Sequence, residues 1–225
     1  MKNLVEKKGV QLNGFLGIYL LAVFMIWIKT YVTQLTQFEL GVEGTLQQIL
    51  LLINPLGSAL LFLSVAFLFR GKRKMSMLLI VYTLMSFLLF ANVVYYRFFS
   101  DFITLPTIYQ TQNFGDLGGS VLALFRPWDI LYFVDVALLM YIRIAKKQQL
   151  KLAKTGFVMP VVAVAFALMI SSTNLYLAEE DRPDLLVRGF DRSYIVKYLG
   201  MYNYAIYDSI KTAEASSERA LADSS

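Results

Sequence analysis

The chain has 225 residues, 57% of them hydrophobic and 15% aromatic, with a mean hydropathy of +0.57; that is too apolar for an ordinary soluble domain and makes the bilayer the expected solvent. It contains no cysteine and no histidine, which removes disulfides, thiolate nucleophiles, histidine-based triads and His/Cys zinc sites. The net charge of +5 counts for less than where the basic residues fall, and they are segregated in a way that points to membrane topology and not to nucleic acid.

The chain starts with Lys2, Lys7 and Lys8 ahead of an apolar run from Gly14 to Ile28. Lys29 and Tyr31 flank that run, and a span of about 18 to 20 residues results, close to what a bilayer requires. A signal peptide shares the basic start, but no small-x-small cleavage site follows Trp27, so an uncleaved anchor over about 13–31 is expected. Residues 30–48, with Glu39 and Glu43, are polar and weakly acidic and read as an external loop. The second span, about 49–69, contains Asn54, Pro55 and Gly57, which interrupt the hydrogen-bond ladder and predict a kink or a short lead-in helix. Arg70 to Lys74 place four positive charges in five residues, suited to a turn on the inner side. The third span follows at about 75–96, with Asn92 near its outer end.

From Ala91 to Ser120 the chain leaves the membrane pattern at Arg97 while keeping Phe98, Phe99, Phe102, Ile103 and Leu105. A loop resting on the membrane surface is expected. Arg97 and Asp101 are four apart, so a continued helix would put them on one face, to pair or to clamp a lipid headgroup. Gly115 to Ser120 suit a turn with a glycine hinge better than a phosphate nest, since they match no P-loop or dinucleotide fingerprint. Arg126-Pro127-Trp128-Asp129 is a proline-marked helix start with an interfacial Trp. The fourth span, about 129–145, carries Asp135, which in lipid must face protein or water or be protonated; Arg97, Arg126 and Lys29 are its candidate partners. Arg143 to Lys154 hold five basic residues and no acid, and the fifth span runs over about 156–177.

The N-terminus and the two basic turns together hold 12 of the 21 Lys and Arg residues. The consistent solution is an all-α membrane protein with five spans in residues 1–178, N-terminus inside and C-terminus outside, and amphipathic interfacial helices on the extracellular side. Residues 179–212 form the juxtamembrane part: Tyr194, Tyr198, Leu199, Tyr202, Ile206 and Ile210 recur at helical spacing and predict an amphipathic helix on the outer leaflet or loops. Residues 213–225 turn small and polar and are expected to be a linker. Within it, Ala220-Leu221-Ala222 has the form of a signal-peptidase site, a short pattern that chance meets often.

ANVVYYRFFSDFITLP, NFGDLGGS, EEDRPDLLVRGFDRSYIVKYLGMYNYAIYD and RALADSS together resemble the N-terminal membrane part of bacterial lipoteichoic acid synthases, and the resemblance covers essentially the whole chain. It implies a five-span anchor in a Gram-positive plasma membrane followed by an extracellular sulfatase-like α/β domain. That domain uses a Thr nucleophile and a manganese ion to take glycerol phosphate from phosphatidylglycerol and extend a polymer on a glycolipid anchor. The resemblance also implies cleavage by signal peptidase at Ala220 and Ala222, before Asp223. No residue here corresponds to the nucleophile or the manganese ligands, so no catalytic residue, metal or cofactor is expected in this stretch, which alone is expected to be inactive.

One span would tether an enzyme, so the polar structure expected on the outer side calls for a further role. A lipid-handling surface would use Arg97, Arg126 and Arg192 on phosphate, Asp101 and Asp135 to orient them, and Tyr95, Tyr96 and Tyr202 along the acyl boundary. The alternative is a docking platform for envelope-synthesis or division proteins and for the chain's own ectodomain. A transporter has Asp135 and Asn54 in its favour, but no inverted repeat is visible.

Overall fold

The computed structural model describes residues 14–110, 123–145, 158–186 and 191–223, and among them every regular element is a helix. In chain order these are α1 (Phe15–Thr36), α2 (Gly44–Ser64) prolonged by a 3-10 turn (Val65–Leu68), α3 (Lys72–Phe99) and the short α4 (Leu105–Gln110). A 3-10 turn (Pro127–Ile130) then leads into α5 (Leu131–Ala145), followed by α6 (Val158–Asp181), α7 (Arg192–Leu199) and α8 (Met201–Asp223). Among the described residues, four stretches are long and apolar enough to cross a membrane: Phe15–Thr36, Gly44–Leu68, Lys72–Phe99 and Val158–Asp181. The all-α membrane class is therefore established. The fifth expected span, α5, has 15 residues, fewer than the ~20 that cross hydrocarbon unaided.

α1 extends beyond its apolar run: residues expected to form a polar loop complete the helix, with Thr30, Thr33 and Thr36 satisfying their hydroxyls on the carbonyls of Ile26, Lys29 and Val32 at 2.7, 2.7 and 2.8 Å. Pro55 sits inside a continuous α2 and forms no separate lead-in helix.

α2 is the centre of the bundle. On one side Tyr19 and Trp27 of α1 donate to the carbonyls of Leu60 and Leu52 at 2.9 and 2.7 Å. On the other, Gly57 meets α6 so closely that a Cβ there would lie 2.7 Å from Ser171 Oγ. α3 contributes Leu78, Tyr82, Met85, Leu89 and Val93 to the core and carries α5 on its flank. Large side chains such as Phe24, Leu84, Phe87, Val162 and Phe166 point outward, as they do where the surroundings are acyl chains.

Two expectations change. α3 stops at Phe99, and Ser100 takes the left-handed conformation (φ 51°) with its N–H on the Tyr96 carbonyl at 2.8 Å. Arg97 and Asp101 therefore share no helical face and do not pair. The juxtamembrane segment is not one helix lying on the surface: Glu179 to Asp181 finish α6, and from Arg192 onward two helices joined at Gly200 (φ 85°) sink into the mouth of the bundle. Ile195, Val196, Tyr198, Leu199, Met201, Tyr202 and Tyr204 are all buried. α8 then runs out to Asp223 through most of the stretch expected to be linker.

Candidate functional site

The α7–α8 elbow seats on a polar node. Gln34 of α1 donates to Asn54 Oδ1 at 3.2 Å and accepts the Met201 N–H at 3.1 Å. Gly200 lies against Asn54 with no room for a side chain, since a Cβ would come within 2.5 Å of Oδ1. Asn174 of α6 donates to the Tyr198 carbonyl at 2.9 Å, and Ser58 of α2 donates to Asn203 at 3.1 Å. Tyr202 reaches inward: its hydroxyl donates to the Met85 carbonyl at 3.0 Å and lies 3.4 Å from the Thr30 hydroxyl. At the elbow, the Met201 N–H and the Tyr198 carbonyl, left without partners in their own helices, are met by Gln34 of α1 and Asn174 of α6, as burial of backbone demands.

At its upper edge the hairpin is held by charge-assisted contacts. Tyr198 donates to Asp181 at 2.6 Å and accepts from Gln47 at 3.0 Å, while Lys197 donates to the Gly41 carbonyl at 3.0 Å. Burial, reinforced by the Asp181 carboxylate, pushes the Tyr198 phenol up to about 12. Burial lowers the Lys197 ammonium, with Glu43 pulling the other way.

Two ion pairs are enclosed and a third is open. In the bundle, Lys29 Nζ lies 2.7 Å from Asp135 and also donates to Ser86 Oγ at 2.7 Å and to the Tyr132 carbonyl at 2.9 Å; Tyr82 adds its hydroxyl to Asp135. Of the three expected partners of Asp135, Lys29 is the one that pairs with it. Higher up, Arg97 grips Asp129 with two nitrogens at 2.8 and 2.9 Å and donates to Gln37 Oε1 and the Leu124 carbonyl. Asp129 also accepts the Arg126 N–H at 2.8 Å. Outermost, Arg192 pairs with Asp101. The side chains of the Arg97 pair are 11% and 7% exposed and those of the Arg192 pair 47% and 32%, so the first clamps the start of α5 to α3 and α1, while the second stays open to solvent or lipid.

The residues expected at a lipid site are therefore split between layers. Arg126 and Arg192 are exposed, and Tyr95 stacks on Phe99 with ring centroids 4.5 Å apart beside an apolar groove of about 340 Å3. Tyr96 is buried, its hydroxyl accepting the Glu39 N–H at 3.1 Å, and Tyr202 is inside the bundle, so neither lines an acyl boundary. Ala220 and Ala222 are exposed near the end of α8. The Gly115–Ser120 turn lies outside the described residues. Gln34, Gly200 and Asp181 carry the hairpin and were not singled out from sequence; a Thr30, Thr33, Gln34 cluster at helical spacing was the available signal for an inward polar face.

The family described as Lipoteichoic acid synthase N-terminal domain matches residues 1–221. Lipoteichoic acid synthase 2 of Bacillus subtilis (strain 168) is 45% identical over 227 residues, covering 100% of this chain and 34% of the relative. Lipoteichoic acid synthase 1 of the same organism is 44% identical, covering 93% and 33%. Lipoteichoic acid synthase of Staphylococcus aureus (strain USA300) is also 44% identical, covering 96% and 33%. The chain thus spans about a third of the length of these relatives. No solved structure matches it.

Proposed function

The chain belongs to the lipoteichoic acid synthase N-terminal domain family, and on that premise we propose that it is the membrane part of a lipoteichoic acid synthase, which anchors and orients a catalytic domain on the outer face of a bacterial plasma membrane. α5, with the turn that leads into it, serves as the fifth span. The basic turns face the cytoplasm, and the α7–α8 hairpin and the C-terminus face outward. The catalytic domain, with its manganese ion, takes glycerol phosphate from phosphatidylglycerol and adds it to a chain on a glycolipid anchor. Arg126 and Arg192 are the guanidiniums placed to meet lipid phosphate at this end. Arg97, Asp101 and Asp135 act behind them as positioning residues through their ion pairs. Ala220 and Ala222 form the processing site for signal peptidase, which must unwind the last turns of α8 to reach it.

One observation carries the orienting role. α8 is a 23-residue helix rooted in the bundle at Gly200 and Tyr202, about 34 Å long at 1.5 Å per residue. A loose tether needs no such root. The test is made in the full-length protein, in a bacterium depleted of its own synthase. Replacing this membrane domain by a single-span anchor should leave the enzyme at the membrane and sharply lower the polymer that cell extracts show by immunoblot. A flexible insert after Lys211 should do the same in milder degree. Undiminished polymer in both would sink the orienting role and leave simple anchoring.

A further inference from the structure

α8 is held at a second level beyond its root. The root is the elbow, where Gly200 and Tyr202 are seated. Further along, Tyr204, Tyr207 and Asp208 share one face of the helix and meet two other parts of the chain. Asp208 accepts the Leu105 N–H at 2.7 Å, Tyr204 packs on Phe102 with ring centroids 6.0 Å apart, and Tyr207 donates to the Leu186 carbonyl at 3.0 Å. The bond to Asp208 is charge-assisted, and it takes up an N–H that the first turn of α4 leaves unpaired.

The segment that Asp208 grips is itself fixed. Phe102 is fully buried, its ring 4.8 Å from that of Phe38 and 5.2 Å from that of Tyr96. The Ile103 N–H is held by Asn92 of α3 at 3.0 Å, and Asp101 pairs with Arg192 at the start of α7. Residues 101–105 therefore cross the hairpin tied to α3 on one side and to α7 and α8 on the other. Past this level α8 runs clear, with residues 213–222 exposed. A helix held only at a glycine elbow can pivot; a second hold fixes its direction. At 1.5 Å per residue the two holds, Tyr202 and Asp208, are about 9 Å apart, and Asp223 lies about 32 Å from Tyr202. A slip of about 1 Å at Asp208 thus becomes about 3–4 Å at the far end.

We propose that residues 101–105 are a strap that sets the direction of α8, with Asp208 as the positioning residue. The strap itself needs no catalytic domain; its consequence for polymer output rests on the orienting role proposed above.

The test uses the full-length protein in lipid nanodiscs, with nitroxides on Gln48→Cys at the outer part of α2 and Ser217→Cys on α8, both exposed; this chain has no cysteine of its own. Double electron–electron resonance should give a narrow distance distribution in the wild type. Asp208→Ala should widen it about twofold, as the lever predicts. Asp208→Asn, whose amide oxygen still accepts from Leu105, should keep the wild-type width. If Asp208→Ala does not fold, Tyr207→Phe decides, since it removes only the hydroxyl on Leu186 and should widen the distribution in lesser degree. Unchanged widths in the variants that fold would overturn the strap. The same variants in the synthase-depleted bacterium separate the two ideas: a widened distribution with undiminished polymer would uphold the strap and sink the orienting role.

Discussion

α6 and α7 both pack against α2, yet composition predicts their burial in the wrong order. α6 is apolar, but only 11% of its most apolar window is buried in protein. α7 is polar in composition, and Ile195 to Leu199, Lys197 included, are all buried. In a membrane protein apolarity reports contact with lipid, because lipid is as apolar as a core and exacts no penalty for exposure. Burial is reported instead by small residues and matched polar groups. α6 meets α2 through Ser171 and Ile170 at Gly57, and its buried residues are the few Ala167, Asn174 and Ala178, while α7 is gripped by Gln47, Asn174 and Asp181.

The comparison breaks most readily at the elbow. Gly200→Val puts a β-branched side chain at φ 85° and against Asn54, and it should cost about 3 kcal/mol or more. Thermal unfolding in detergent should fall by several degrees, and limited proteolysis should newly open residues 192–210 while α1 to α3 stay protected. Gly57→Leu attacks the α6 side. It overpacks the Ser171 contact and should cost about 1–3 kcal/mol, with α6 loosened and the α7 hairpin weakened only through Asn174. A variant of Gly57 as damaging as Gly200→Val would mean that α6 depends on its protein contacts more than its exposure implies.

How much of this was legible in sequence follows the same division. α1, α2, α3 and α6 are visible as apolar runs, and Lys29 was among the partners that Asp135 called for. The choice between arginines was not visible. Ser100 in the left-handed region ends α3, and that single dihedral sends Asp101 to Arg192 and leaves Arg97 to Asp129. The Tyr-rich stripe of α7 and α8 has the helical period of a surface helix. Its seat consists of Gln34, Asn54 and Asn174, which belong to three other helices, and nothing in the local pattern of residues 194–210 announces them.

Tyr198→Phe sharpens the α7 side more gently. It removes the hydroxyl shared by Asp181 and Gln47 and should cost about 1 kcal/mol near neutrality. The pH dependence has a definite sign. Burial raises the Tyr198 phenol from 10.0 to about 12 in the folded protein, so its contribution is complete below pH 10 and is lost as pH climbs toward 12. The gap in melting temperature between wild type and Tyr198→Phe should therefore narrow over that window. A gap that widened would place the phenolate, not the phenol, in the folded state.

The smallest effect belongs to the outward face of α6. Phe166, 48% exposed, should tolerate Leu within about 0.5 kcal/mol in detergent, because the change swaps one apolar surface for another and removes no protein contact of note. Phe166→Asn is the counterpart: harmless on a water-exposed surface of equal exposure, it should here reduce the fraction of chain recovered in the membrane, since an amide facing acyl chains has no partner. If Asn were as silent as Leu, the outward face of α6 would be meeting water or another protein instead of lipid. The pair of substitutions thus asks what covers the least buried long helix, with the same side-chain position serving as its own control.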